Sequence, residues 1–259
     1  VITANFQIAG RPYVADLNKP LDISIAIHPD GPRAWYVDPV TIEPVRTERF
    51  TGSVAEGGAV NFRNIAFNPH GHGTHTETSG HIDREVSSIN TVLGQYFFAA
   101  RLLTITPEIY AGPETAEMKK GDGVITARQL GSTGDYTDIE AVVIRSLPNG
   151  PDKKSRNYSN SNPAYFAPEA LTFLRKAGIV HLLTDLPSVD REEDGGALLA
   201  HRAFWRSGMP GDAEATITEF IYAPDHIADG LYLLNLQTAA FENDAAPSRP
   251  VLFHAKLLP

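Results

Sequence analysis

Apolar positions change their rhythm about a third of the way along the chain. Before the first histidine-rich stretch they alternate or run over strand lengths, in "FQIAGRPYVADL", "LDISIAI", "VTIEPVRTERF" and "AVNFRNIAFN", with Gly, Pro, Asn and Asp between the runs. A period of two turns one face of each segment to a core, and the turn residues close hairpins, so antiparallel sheet is predicted there. After residue 95 the runs become continuously apolar, "FFAARLLTIT", "IEAVVIRSL" and "GIVHLLTDL", as strands buried on both faces read. Helical patterns stand between them at "ITARQLG", "PEALTFLRKAG" and "GALLAHRAFWRSG". Pro168 falls where a first helical turn tolerates proline, and Gly178 where a helix stops. Strands alternating with helices imply parallel pairing in an α/β layer. The tail returns to strands at "ATITEFIYAP", "GLYLLNLQTAAF" and "RPVLFHAKLL". No linker or internal repeat divides the 259 residues, so a single domain over residues 1–259 is expected, with a mixed sheet and antiparallel N-terminal strands.

Composition narrows the classes. With 42% hydrophobic and 20% charged residues the chain can bury a full core, and with no cysteine it has no disulfide, thiolate nucleophile or Cys-type zinc site. No apolar run reaches the length of a membrane span, and "VITANFQIAG" lacks the basic and apolar regions of a signal peptide. A soluble, cytoplasmic protein is expected, with room left for a leader removed ahead of Val1. The net charge of −9 repels phosphate backbones and anionic lipid, so neither nucleic acid nor membrane is an expected partner. Part of the acidity sits in "DREED" (190–194), which reads as a solvated loop.

The candidate chemistry is local. Four of the nine histidines fall within "FNPHGHGTHTETSGHID", residues 67–83. In extended chain alternate side chains share a face, so His75, Glu77 and His81 belong together, while His70 and His72 have the opposite parity. A straight strand could not present all four imidazoles; a glycine-kinked loop could. Imidazole and carboxylate donors suit Zn²⁺, Mn²⁺ or Fe²⁺ better than Mg²⁺ or Ca²⁺. The isolated His28, His181, His226 and His254 read as satisfied core or surface residues. Motifs for a serine elbow, a phosphate loop, a helical zinc protease and a dinucleotide fold are absent. The spacing in "HGHGTHTE" also matches a first cupin motif, but the later helices do not belong in a jelly roll.

At "GTHTETSGH" the chain resembles the cyclase family, which includes metal-dependent kynurenine formamidases and isatin hydrolase. The family pattern H-x-G-T-H-x-D-x-P-x-H here reads G-H-G-T-H-T-E-T-S-G-H from Gly71 to His81. Gly73, Thr74, His75 and His81 match, Glu77 replaces aspartate, Ser79 replaces proline, and Gly71 stands where the first metal-ligating histidine belongs. The resemblance continues through "LDISIAI", Trp35 and Asp38 in "AWYVDP", Arg145 in "VVIRS", the block "PEALTFLRKAGIVHLLTDLPSVD", His201 and Glu219. It implies a swivelling β/β/α fold, a homodimer or homotetramer, and a site in which His75, Glu77, His201 and Glu219 hold about one Zn or Mn ion per chain. By the same resemblance His81 shuttles protons, and Trp35 and Arg145 contact a small-molecule substrate.

The residues themselves leave alternatives open. His201 on an apolar helix could be core, Trp35 could be packing, and Arg145 could clamp a carboxylate or form a salt bridge. Glu219 interrupts a strand's apolar alternation, and a carboxylate there is costly unless paired or ligated. The implied activity is hydrolysis of an amide C–N bond, as in N-formylkynurenine or isatin, which would place the chain in tryptophan catabolism. The alternative is a cyclase-fold protein that binds a small molecule without a complete metal site. Gly71 motivates that alternative, and His70 or His72 would be the replacements that restore the site.

Overall fold

The computed structural model describes residues 1–115 and 118–259. A nine-stranded mixed sheet forms the centre. Its four middle strands are Phe97–Ile105, Ala141–Ser146, His181–Thr184 and Thr216–Glu219, all parallel. Beyond Thr216–Glu219 the sheet continues antiparallel through His75–Glu77 to the edge strand Ala245–Pro247. On the other side Gly230–Asn235, Val251–His254 and Leu21–Asp22 extend it, also antiparallel.

The continuously apolar runs are explained by cover on both faces. Along Ala141–Ser146, Val142 and Ile144 join one core cluster while Ala141 and Val143 join the other, as a period of two requires. The first cluster receives Leu171 and Leu174 from the helix Pro168–Lys176, Ala200 and Phe204 from the helix Leu199–Trp205, and Leu130 from Ala127–Thr133. Each fully buried leucine or phenylalanine contributes roughly 1.5–3 kcal/mol to this packing. The helices lie close to the predicted positions. Pro168 opens its helix, Gly178 follows it at φ +93°, and Thr126 caps the helix Ala127–Thr133 in a reciprocal box with Gln129.

The predicted N-terminal strands pair as a hairpin, Thr3–Ile8 with Arg11–Asp16, joined through Ala9 and Gly10 at positive φ. A second antiparallel pair, Thr41–Pro44 with Arg63–Ala66, stands off the body, and Phe62 and Ile65 are each 58% exposed. "LDISIAI" departs from the expectation, since only Leu21–Asp22 is a ladder strand. The rest is irregular chain in which Ile23 and Ile25 are buried and their backbone groups find separate partners: Ile23 bonds Pro250 and Tyr222, and Ile25 bonds Thr74. Among the described residues no helix is long and apolar enough to cross a membrane.

Candidate metal centre

Register alone builds half of the site. His75 and Glu77 share a face of their strand by parity, and antiparallel pairing sets Glu219 directly opposite His75. Thr76 points the other way and bonds Thr218 Oγ1 at 2.8 Å. All three site residues are buried, at the carboxyl end of the parallel strands, where open α/β sheets place their ligands. The helix Leu199–Trp205 adds His201, whose Nε2 lies 3.1 Å from Glu77 Oε1. His201 Nδ1 bonds Asp190, and the same carboxylate accepts the backbone N–H of Ala200 at 2.7 Å. His81 ends the short turn Ser79–His81 and brings Nδ1 to 3.5 Å from Asp244 Oδ2 and 3.9 Å from Glu77 Oε2.

The loop ahead of the strand decides between His70 and His72. Asn68 Oδ1 accepts the N–H of both His70 and Gly71, a turn that aims the His70 ring inward. His70 Nδ1 then lies 2.9 Å from Glu77 Oε2, and its Nε2 2.8 Å from Asp244 Oδ2. Gly71 cannot do this work: a Cβ there would stand 2.8 Å from Val37 Cγ2. His72 is turned away, with Nε2 donating to Asp38 O at 2.8 Å and Nδ1 accepting from Asn68 N at 2.9 Å. His72 is therefore removed from the candidate ligands, both nitrogens being engaged elsewhere. This loop thus brings one imidazole beside Glu77, from the residue before position 71.

The electrostatics of the site favour positive charge. His75 Nδ1 sits 3.2 Å from Gly73 O, so the proton belongs on Nδ1 and the Nε2 lone pair faces inward. Nε2 is buried without a hydrogen-bond partner, and its facing group is Glu219 Oε2 at 3.4 Å. Two acceptors facing each other in a dry site are unfavourable unless a proton or metal ion lies between them. The neighbouring groups respond in the same sense. Burial pushes the Glu77 carboxyl up, but His81, His201 and His70 overcome it and hold it well below the usual range. Burial lowers His70, and the Asp244 and Glu77 carboxylates reverse that and raise it to about 10. His201 is pushed down by burial and raised well above an ordinary imidazole by Asp190 and Glu77.

Two overlapping groups have ligand atoms within 4.8 Å of one another, His70/Glu77/His81 and His75/Glu77/Glu219, and both contain Glu77. Their nitrogen and carboxylate donors fit a divalent transition metal. The site opens into a cleft of about 370 Å³ lined by Trp35, His70, His81, Arg191 and Leu198 among others.

Other expected residues fare unevenly. Trp35 does line the cleft. Arg145 does not, and its clamp reading is corrected to a structural salt bridge. Its guanidinium bonds Asp229 at 3.0 Å, Thr104 Oγ1 at 2.7 Å and the carbonyls of Pro224 and Ile227 at 2.9 and 2.8 Å. "DREED" is a loop that is only partly solvated. Asp190 is buried against His201, Glu192 accepts the N–H of Asn160 and Asn162, and Asp194 accepts those of Gly196 and Leu198. Asp190 and Asp244, which hold the imidazoles, were not legible in the sequence. Neither lies within the histidine stretch.

Comparison with known proteins agrees with this geometry. The Cyclase family model, described as "Putative cyclase", matches residues 21–191. The chain is 26% identical over 239 residues to kynurenine formamidase of Bacillus cereus (strain ATCC 14579), covering 92% of this chain and 95% of that protein. It is 25% identical over 246 residues to kynurenine formamidase of Bacillus thuringiensis (strain Al Hakam), with the same coverage. Isatin hydrolase A from Labrenzia aggregata, bound to benzyl benzoate, shares the fold at a TM-score of 0.63 and 14% identity, over 91% of this chain and 93% of that one. A structure described as a potential metal-dependent hydrolase with cyclase activity superposes at 0.62 and 17% identity, over 93% and 99%. The matched segment runs from the Leu21 strand through the whole histidine stretch to Arg191, more than half of the chain, and on that footing the chain belongs to the cyclase family.

Proposed function

We propose that the chain is a metal-dependent hydrolase of a small amide C–N bond, arylformamidase-like, acting on an aryl formamide or a cyclic aryl amide such as isatin. The observation that carries this reading is the His75 Nε2 lone pair, buried and unpartnered, facing Glu219 among further imidazoles and a second carboxylate. The names of the similar proteins, kynurenine formamidase and isatin hydrolase, support the amide class.

His75, Glu77, His201 and Glu219 would hold the ion, about one Zn or Mn per chain, with His70 as the donor that replaces the position of Gly71. When bound, such an ion supplies Lewis acidity, making water more acidic and polarising a carbonyl. Asp190 and Asp244 fix the rings of His201 and His70 so that each presents one nitrogen to the site. His81 is the most accessible imidazole, its side chain 30% exposed, and its Nδ1 faces Asp244. Its Nε2 is then the atom that takes a proton and delivers it to the leaving nitrogen. No cysteine or serine nucleophile is required.

The alternative, a cyclase-fold protein that binds without turnover, rests on Gly71; the position of His70 beside Glu77 supports the catalytic reading over it. The reading includes a homodimer or homotetramer, for which the exposed Phe62 and Ile65 are apolar surface that a second copy would cover. The test is elemental analysis of protein purified without a histidine tag, followed by turnover assays on formanilide, N-formylkynurenine and isatin. Metal-dependent turnover of at least one is expected. A fully metal-loaded protein inert toward all three would refute the amide-hydrolase reading.

A further inference from the structure

The cleft has a cation on its wall, and it is not Arg145. Arg191 lines it, within the run that the sequence presents as a solvated acidic loop. Its Nε donates to Asp122 Oδ2 at 2.9 Å and its Nη1 to Glu193 O at 2.5 Å, which pins the guanidinium with its side chain only 15% exposed. Nη2 has no hydrogen-bond partner among the described residues.

The carboxylates nearby are satisfied from within the protein. Asp122 also accepts from Tyr165 Oη and Asn162 Nδ2, both at 2.7 Å, and Lys119 N at 2.9 Å. Glu192 and Asp194 each accept two backbone N–H groups, as described above. Glu192 and Asp194 line the cleft as well, but each of their oxygens already accepts a backbone N–H, so the unengaged hydrogen-bonding group that this wall offers is the pinned, charged Arg191 guanidinium. A charged donor pairs best with an anionic oxygen. Trp35 lines the same cleft from a backbone at φ +58°, a conformation that a bulky residue keeps only where its surroundings hold it. A cavity of about 370 Å³ with an indole wall suits a molecule of one or two rings.

We infer that Arg191 is a specificity-determining residue, and that the preferred substrate is a small aryl amide bearing a carboxylate. Arg191 Nη2 receives that carboxylate, Trp35 flanks the ring, and the scissile carbonyl lies toward the histidines. This rests on the amide-hydrolase reading above.

A matched pair of substrates tests it, 2-formamidobenzoate and formanilide, which differ only in the carboxylate. Metal-loaded wild type should show the higher kcat/KM on 2-formamidobenzoate. Arg191→Gln should lower that value by about ten- to a hundredfold while changing formanilide by less than about twofold. Arg191→Lys, which keeps the charge, should retain part of the preference. Melting curves of both variants identify any that fail to fold. Equal losses on the two substrates, or no loss on either, overturn the assignment. If metal-loaded wild type turns over neither formamide, the hydrolase reading is judged separately on N-formylkynurenine and isatin, and calorimetric titration with anthranilate and aniline tests the anion site by itself. Anthranilate binding that Arg191→Gln weakens supports the site. Binding unaffected by the substitution, or no anthranilate binding, overturns it.

Discussion

The strand Thr216–Glu219 meets a buried histidine at each end, and the two ends behave oppositely. At its start Thr216 Oγ1 lies 2.9 Å from His181 Nδ1, and the ring of His181 packs 4.0 Å from that of Phe98. No carboxylate among the described residues reaches ion-pair distance of it. Burial, with a smaller contribution from Arg175, therefore lowers His181 to about 3, and the ring stays neutral. At the other end Glu219 faces His75, and Glu77 and Asp190 bracket His201, which is raised well above the ordinary range. Both rings are nearly inaccessible, His181 at 5% and His201 at 2% exposure, so burial cannot distinguish them. The carboxylates do. A buried histidine facing a hydroxyl and a phenyl ring is core, whereas one facing carboxylates is half of a site that needs a positive charge.

Removing the floor of the site should give the largest effect. His75→Ala is expected to abolish bound metal and turnover together, read by elemental analysis and activity on one preparation. Full activity in this variant would make the histidine stretch a structural loop. His81→Ala should keep the metal and lose turnover by roughly 10²- to 10⁴-fold, the range of general acid–base catalysis. Metal loss as ready as that of His75→Ala would make His81 a ligand instead of a shuttle.

The supporting carboxylates should matter less. Asp190→Asn leaves His201 in place but removes the charge that orients it, and a roughly 10- to 100-fold loss of metal affinity is expected by competition with a chelator. Unchanged affinity would mean that the helix alone positions the ring.

The smallest effect belongs to the other end of the strand. His181 is depressed from 6.5 in the unfolded chain to about 3 in the folded protein, so as the pH falls the unfolded state takes up the proton first. Its contribution to stability is complete above pH 6.5 and is lost between 6.5 and about 3, by up to about 1.4 kcal/mol per pH unit. His181→Gln should flatten that part of the denaturation profile and leave metal content unchanged. An unaltered slope would show that other groups govern acid unfolding.

The same contrast marks what the sequence can reveal. His75 and Glu77 were legible because a period of two fixes their common face, and Glu219 because a carboxylate in an apolar strand must be matched. Helix positions followed from Pro168, Gly178 and the apolar spacing. His70 and His72 could not be told apart, since a turn set by Asn68 and a contact between position 71 and Val37 decide between them, and both depend on tertiary packing. Asp244 comes from the edge strand's approach and Asp190 from a run that resembles solvent-facing charge. Arg145 misled because its partners, Asp229 and the carbonyls of residues 224 and 227, lie some eighty residues away in sequence.

Metal content measured on matched variants bears most directly on the contrast between the two ends. Wild type, Glu77→Gln and His181→Gln, each reconstituted with Zn²⁺ and with Mn²⁺ and then desalted, should be compared by elemental analysis. Wild type and His181→Gln should retain about one ion per chain, and Glu77→Gln should retain none, because Glu77 belongs to both ligand groups. Wild type that emerges metal-free, or Glu77→Gln that binds as much as wild type, would contradict the assignment of this end of the sheet as a metal centre.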